Sequence, residues 1–210
     1  MKASFAGCLN VLMGELSTLR KLDTLNQRQS AAGGAKIRRL TKGQLYLLTE
    51  ALFFSAFRTY EHFLRNTFLL YCTSRQSTKR GMAQPYLRPR TTLHAEELIQ
   101  SSMHFLDWGN PDILIQRAET YLKDGYPVKA AIASHIEALR DLKRVRNHIA
   151  HMSKESVVEY MKTLKRHFSV IPIRVPRPGE YLLLPSRSAL GSYYLIEYFD
   201  LIQEVARQMV

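Results

Sequence analysis

Residues 146–151, with the sequence RNHIAH, place Arg146 and His151 five positions apart. Arginine stays charged at any working pH and can fork onto two phosphate oxygens. Histidine exchanges a proton near neutral pH, so it can act as a general acid or a general base. A permanent cation beside a proton shuttle is the pair of groups needed to cleave an RNA phosphodiester without a metal ion.

Side-chain direction limits how this pair can act. An offset of five residues places two side chains about 140° apart around an ideal helix. Arg146 and His151 therefore converge only if the arginine bends around the helix or the helix loosens at its end. Asn147 and His151 are four residues apart and share a face.

The same two residues also have a purely structural interpretation. Spacing between an Arg and a His is a weak motif by itself. The C-terminus of a helix favours cations through the helix dipole. On this interpretation His151 occupies the end of its helix, and Arg146 is a solvated or ion-paired side chain.

Apolar periodicity predicts the helices that must position these residues. A first helix runs through Leu9 to Leu22, and a long central helix extends to about residue 71 after the capping-box sequence at Thr41 to Gln44. Further helices are predicted over about 93–105, from Pro111 to about 125 with Asn110 as the cap, over about 127–151, over 154–168 after Ser153, and over 193–209.

The segment 171–185 alternates apolar residues with four prolines. Proline lacks a backbone donor and is confined to the edges of sheets, so we predict an irregular segment or a small hairpin here. The aromatic residues of 193–199 are expected to pack in the core or in a dimer contact. No repeat or second domain is evident, and the predicted fold is a single all-α bundle over 1–210.

Charge and cysteine content narrow the class of protein. The 30 Lys and Arg exceed the 18 Asp and Glu, giving a formal net charge of +12 that attracts polyanions. Nucleic acid is the leading partner, although an anionic membrane or an acidic protein also fits. Only Cys8 and Cys72 occur, without metal-ligand or disulfide spacing, so we expect a reducing cytoplasm and no metal or cofactor. No apolar run reaches the roughly 20 residues that span a bilayer.

Two groups of cations are candidates for contacts with RNA. On the helix of Arg146, a row of cations can follow the RNA backbone or form a solvated basic face: Arg140, Lys143 and Arg144. The polar segment 74–90, with Tyr86 as a stacking surface, can bind single-stranded RNA or simply keep the protein soluble. Its cations are Arg75, Lys79, Arg80, Arg88 and Arg90.

With Asn after the Arg and Ala before the final His, residues 146–151 resemble the motif of the HEPN superfamily. These are helical bundles whose nuclease members carry Arg, then four to six residues, then His. Residues 57–65, FRTYEHFLR, are similar to the long helix of the RiboL-PSP-like HEPN group, and the turn at 108–111 extends the likeness. The resemblance covers about residues 41–168, and the segment 171–185 departs from it.

The resemblance implies a metal-independent endoribonuclease that acts as a homodimer, with the motifs of both subunits facing one cleft. Such enzymes often belong to toxin–antitoxin or antiviral defence systems, so an antitoxin or defence protein is a candidate partner. His151 would activate the ribose 2′-hydroxyl, and Arg146 would stabilise charge on the phosphorus. Asn147 would orient the phosphate or the imidazole, while His148 is expected behind the site or at the surface.

Glu61 has two candidate roles. It can pair with Arg58 or Arg65 along its own helix, or it can hold Arg146 from a neighbouring helix.

Two other functions of the protein also fit the sequence. A non-catalytic HEPN-type adaptor would bind RNA, nucleotide or a partner protein through the same basic cleft, and a structural helical subunit would match its charge to an acidic partner.

Overall fold

The computed structural model describes residues 4–31, 39–73, 83–101, 106–168, 173–186 and 191–210. These residues form nine α-helices, a short 3-10 turn at Lys123–Gly125 and two isolated β-bridges, and no strand forms among them. The helices are α1 Phe5–Ala31, α2 Lys42–Thr73, α3 Thr92–Gln100, α4 Pro111–Tyr121, α5 Val128–Ala133, α6 Ile136–His151, α7 Lys154–His167, α8 Pro178–Leu182 and α9 Tyr194–Met209. The predicted all-α class is confirmed for this part of the chain.

The chain divides into two compact units. The first unit comprises Met1–Met13, Arg58–Arg140 and Leu201–Val210, and the second comprises Gly14–Phe57 and Asp141–Asp200. Helices α1, α2, α6 and α9 each contribute residues to both units. The sequence prediction of one domain over 1–210 stays a prediction.

Three helix starts lie where the sequence predicts them. The amide of Gln44 donates to Thr41 Oγ1 at 3.2 Å and the amide of Thr41 donates back to Gln44 Oε1 at 2.9 Å, which completes the capping box of α2. Asn110 caps α4 with Pro111 as the first helical residue, and Ser153 caps α7. Each of these caps is a contact within three residues, which is why the sequence alone reveals them.

Several predicted boundaries are wrong. The stretch predicted over 127–151 is broken into α5 and α6, because the amide of His135 bonds to the carbonyl of Ile132, three residues back, rather than four. Helix α3 ends at Gln100, followed by Ser101 in the left-handed region with φ of 55°, while residues 102–105 lie outside the described part. Helix α4 ends at Tyr121 and gives way to the 3-10 turn.

The irregular segment or small hairpin predicted over 171–185 is wrong at 178–182, which form helix α8. Pro178 occupies the first turn of that helix, where its missing N–H is not needed. Gly179 approaches α2 so closely that a Cβ there would lie 2.3 Å from the carbonyl oxygen of Tyr46, and its amide donates to Glu50 Oε1 at 2.8 Å. Residues 171 and 172 lie outside the described part.

Each unit buries its own apolar side chains. Those of the first unit include Phe63, Leu64, Phe68, Leu114 and Leu139. Those of the second unit include Phe53, Phe57, Tyr181, Leu195 and Phe199. Tyr194 and Tyr198 are buried as well, which confirms that the aromatic residues of the last helix pack. Among the described helices, none combines the length and the apolar character required to cross a membrane.

Candidate active site

The Arg146–His151 motif occupies the end of α6, within the second unit. The helix continues to His151, and Met152 then adopts a left-handed conformation with φ of 47° while its amide donates to the carbonyl of His148 at 3.2 Å. The helix therefore does not loosen between the two motif residues. Their side chains leave it in directions about 140° apart.

The side chain of Arg146 is half-buried and held on two aromatic rings of α2. Its Cζ atom lies 5.1 Å from the ring centroid of Phe57 and 5.7 Å from that of Phe54, within the range of a cation–π contact. Its Nη1 donates to Oδ1 of Asn147 at 2.9 Å. Asn147 lies four residues before His151, so the bond connects Arg146 to a residue on the face that carries the histidine.

His151 is exposed in the last turn of α6. An exposed imidazole can reach a ribose hydroxyl and exchange its proton with solvent between reactions. The arrangement places a fixed cation and an accessible proton shuttle on one short stretch of helix. Cleavage by general acid–base chemistry with charge stabilisation requires these two kinds of group.

His148 is held against α7 rather than presented to solvent. Its ring stacks on Tyr160 with centroids 4.8 Å apart, and Nδ1 lies 3.1 Å from Oγ of Ser156. The hydroxyl of Ser156 donates to the carbonyl of Ser153 at 2.8 Å, so we assign Nδ1 of His148 as the donor in this contact. Burial lowers the pKa of His148, which favours the neutral ring.

This environment makes the stability of the second unit depend on pH. Because the folded protein has the lower pKa, the unfolded chain binds a proton more readily once the pH falls below the ordinary value of 6.5. The stabilisation from neutral His148 is then complete above that pH and is lost as the pH falls through it. We expect urea unfolding to show wild type losing stability relative to His148→Gln between about pH 7 and 5, the interval in which histidine titrates. Parallel curves for the two proteins would contradict this assignment.

The predicted RNA-binding cations of α6 are engaged with carboxylates. In the first unit, Arg140 pairs with Asp112 at 2.6 Å and with Glu137 at 2.5 Å. In the second unit, Arg144 pairs with Asp141 at 3.0 Å and with Glu159. Exposed pairs contribute only about 0–1 kcal/mol, so Arg140 can exchange its carboxylates for phosphates at little cost.

Lys143 is half-buried. Of the cations in the segment 74–90, Arg88 and Arg90 are exposed, and so is the ring of Tyr86. These positions are accessible to a nucleic acid, and their role in binding RNA stays a prediction. Arg75, Lys79 and Arg80 lie outside the described residues.

Glu61 is half-buried on α2 and lines a pocket of the first unit together with Arg58 and Arg65. Arg65 forms a two-pronged ion pair with Glu96 of α3, with Nε–Oε1 at 2.6 Å and Nη2–Oε2 at 2.5 Å. A role for Glu61 in holding Arg146 joins residues of different units and stays a prediction.

The sequence does not reveal the carboxylate around which α6 and α7 meet. Asp141 is fully buried and accepts hydrogen bonds from Arg144 Nη1 at 3.0 Å and Thr163 Oγ1 at 2.9 Å. Arg166 Nη2 lies 2.6 Å and His167 Nε2 3.2 Å from its second oxygen. Burial by itself would raise the pKa of Asp141, but the bond from His167 and the charge of Arg166 hold it below the usual range. The only hint in the sequence is spacing: Asp141 lies four residues before Val145, which is buried, and residues four apart share one face of a helix.

No cluster of His, Cys, Asp or Glu that could hold a metal ion is found in the described ranges, and Cys8 and Cys72 are free thiols. No protein-family model matches the chain, and no curated protein or solved structure matches it. The likeness to HEPN proteins therefore depends on the residues of the motif, of α2 and of the turn at 108–111.

Proposed function

We propose that this chain is a metal-independent endoribonuclease of the HEPN type, with Arg146 and His151 as its catalytic residues. The main support is the conformation of Arg146. Its guanidinium is held over Phe57 and bonded to Asn147, and the exposed His151 follows on the same helix. A fixed cation and an accessible imidazole on one helix suit a reaction that needs both charge stabilisation and proton transfer.

In the proposed reaction, the neutral imidazole of His151 takes the proton of a ribose 2′-hydroxyl. The 2′-oxygen then attacks the adjacent phosphorus, and the bond from phosphorus to the 5′-oxygen breaks as that oxygen gains a proton. Arg146 stabilises the negative charge on the non-bridging oxygens, and Asn147 holds the guanidinium in place. The products are a 2′,3′-cyclic phosphate and a 5′-hydroxyl.

A second copy of the chain completes this site in the proposal. One imidazole cannot withdraw one proton and deliver another at the same moment, and the regular end of α6 directs Arg146 and His151 about 140° apart. Two copies supply two histidines and allow an arginine and a histidine from different copies to face one phosphate.

Helix α2 offers a surface for this pairing. Leu47, Leu48, Ala51 and Phe54 follow helical spacing and are all exposed, with Leu47 reaching 67%. An exposed apolar stripe of this kind indicates an interaction surface. In a two-fold dimer the same patch of each copy contacts its equivalent in the other. The stripe ends at Phe54, which contacts Arg146, so the arginines of both copies would lie near the shared surface.

Purified protein incubated with RNA and EDTA tests the proposal. We expect cleavage that continues in EDTA, products with cyclic phosphate and 5′-hydroxyl ends, and a molar mass in light scattering of twice 24.2 kDa. Cleavage that stops with EDTA, or products ending in 3′-hydroxyl and 5′-phosphate groups, would contradict it. RNA binding without cleavage would instead indicate the adaptor function.

The biological setting that we propose is a toxin–antitoxin or antiviral defence system, in which a partner protein restrains the enzyme. A ribonuclease of broad specificity harms its own cell when it is not restrained. Expression of the intact chain is therefore expected to slow growth, and expression of His151→Ala is not. Equal toxicity of both proteins would separate growth arrest from cleavage.

A further inference from the structure

A pocket of about 290 Å³ opens in the first unit, among residues of α2, α3 and the turn that precedes α4. Small-molecule sites usually have volumes of about 300–1,000 Å³, so this pocket suits a ligand at the small end of that range. It contains no residue of the Arg146–His151 motif, and all its lining residues belong to the first unit. The pocket is therefore a candidate for a separate binding site.

The charges that line the pocket cancel. Arg65 and Glu96 are joined through two hydrogen bonds into a flat, neutral pair, with Nε–Oε1 at 2.6 Å and Nη2–Oε2 at 2.5 Å. The remaining formal charges are those of Arg58, which is exposed, and Glu61, which is half-buried. The paired charges favour an uncharged base inside the pocket, while the exposed Arg58 can meet an anionic group attached to that base.

The walls of the pocket suit a flat ring. Trp108 is only 8% exposed and its indole packs on Phe68 with ring centroids 5.7 Å apart, which fixes it in place. Leu106 adds a second buried apolar side chain. Aromatic side chains and the planes of arginine side chains are the surfaces on which proteins stack unpaired nucleobases.

The polar groups of the pocket select among the bases. A carboxylate accepts two parallel hydrogen bonds, and guanine alone presents two adjacent N–H donors on its pairing edge, at N1 and at the exocyclic amino group. Adenine places an acceptor at N1 and would oppose the carboxylate. The amide of Gln100 can donate to the O6 oxygen of guanine, and Arg58 and His62, both exposed, can meet a phosphate.

We propose that this pocket binds a guanine base, as a free nucleotide or within single-stranded RNA, with Glu61 as the residue that recognises it. Glu61 already has another interaction in the protein, and a carboxylate with about four lone-pair sites can accept further bonds. The binding does not depend on cleavage, since no motif residue takes part.

Trp108 provides the readout, because it is the single tryptophan of the chain and lines the pocket. Its fluorescence would be followed while the full-length His151→Ala protein, which is expected not to cut RNA, is titrated with GMP, AMP, CMP, UMP or inorganic phosphate. We expect a saturable change with GMP and a dissociation constant at least about tenfold lower than for the other nucleotides, a ratio in the range for one bidentate base contact.

Glu61→Gln is expected to remove the preference for GMP over AMP. Glutamine has an NH2 donor in place of one carboxylate oxygen, and this donor would face an N–H donor of guanine. Glu97→Gln on α3 is the matched control, since it removes the same charge at an exposed position that does not line the pocket. Thermal melts of both variants check that they fold.

Three results would overturn the proposal: equal affinity for all four nucleotides, the same response to phosphate alone, or an unchanged preference in a folded Glu61→Gln protein. Each of these results is independent of whether the wild-type protein cleaves RNA.

Discussion

Asp141→Ala is expected to lower the free energy of unfolding by about 3–5 kcal/mol, the range for breaking a buried ion pair. The carboxylate is fully buried and pairs with two arginines, at 3.0 Å for Arg144 and 2.6 Å for Arg166. Its removal also deprives Thr163, which is itself buried, of the acceptor for its hydroxyl. Urea unfolding followed by circular dichroism measures the loss.

Asp200→Ala is the matched control within the same unit. Asp200 pairs with Arg20 at 2.7 Å, but its side chain is 64% exposed. Exposed pairs contribute about 0–1 kcal/mol, so this variant should unfold close to wild type. If the two alanine variants differ by less than about 1 kcal/mol, within the range of a surface pair, Asp141 does not stabilise the second unit as we infer.

The effect of Asp141 extends beyond its own ion pairs. His167, bonded to Asp141 through Nε2, lies with Nδ1 3.3 Å from the hydroxyl of Tyr181, and that hydroxyl lies 2.9 Å from the hydroxyl of Tyr198. One carboxylate of α6 thus connects side chains from α7, α8 and α9. Because Arg146 and His151 follow on the same helix, the network also fixes the helix that presents the candidate site.

The features that the sequence predicts correctly depend on near neighbours. The caps at Thr41, Asn110 and Ser153 are hydrogen bonds within two or three residues, and the long helices follow the spacing of apolar side chains. Local rules of this kind need no knowledge of the rest of the fold. They also predict that a helix ends at about His151, although α6 begins later than predicted.

The features that the sequence does not predict depend on distant contacts. The helix at 178–182 forms against α2, where Gly179 meets Tyr46 and Glu50, more than 120 positions earlier. The rings that contact Arg146 belong to Phe54 and Phe57, and residue spacing in the sequence does not identify this contact either. Tertiary packing decides such positions and overrides local propensity.

The proposed cleavage reaction should respond to both motif residues. We expect His151→Ala to reduce kcat/KM for RNA by about 10²–10⁴-fold, the usual contribution of a general acid or base. Arg146→Ala should reduce it by about 10²–10³-fold, as for the loss of one group that stabilises developing charge. The double variant should be little worse than the poorer single variant, because groups that act on one transition state are not additive.

Exposed residues of the same types provide the controls. His94→Ala on α3 and Arg207→Ala on α9 remove an imidazole and a guanidinium from exposed positions outside the motif. Both should cleave RNA within about twofold of wild type, since surface changes away from a site alter little. Equal losses in all four variants would show that the effect does not depend on the motif.

Folding must be separated from chemistry at Arg146, because its guanidinium packs on Phe57 at 5.1 Å and Phe54 at 5.7 Å. Alanine removes this contact, which contributes about 0.5–2 kcal/mol. Methionine keeps an unbranched apolar stem over the rings and removes only the charge. His151 is exposed, so its alanine variant should unfold like wild type. An Arg146→Met protein with wild-type unfolding and wild-type cleavage would show that the guanidinium takes no part in the reaction.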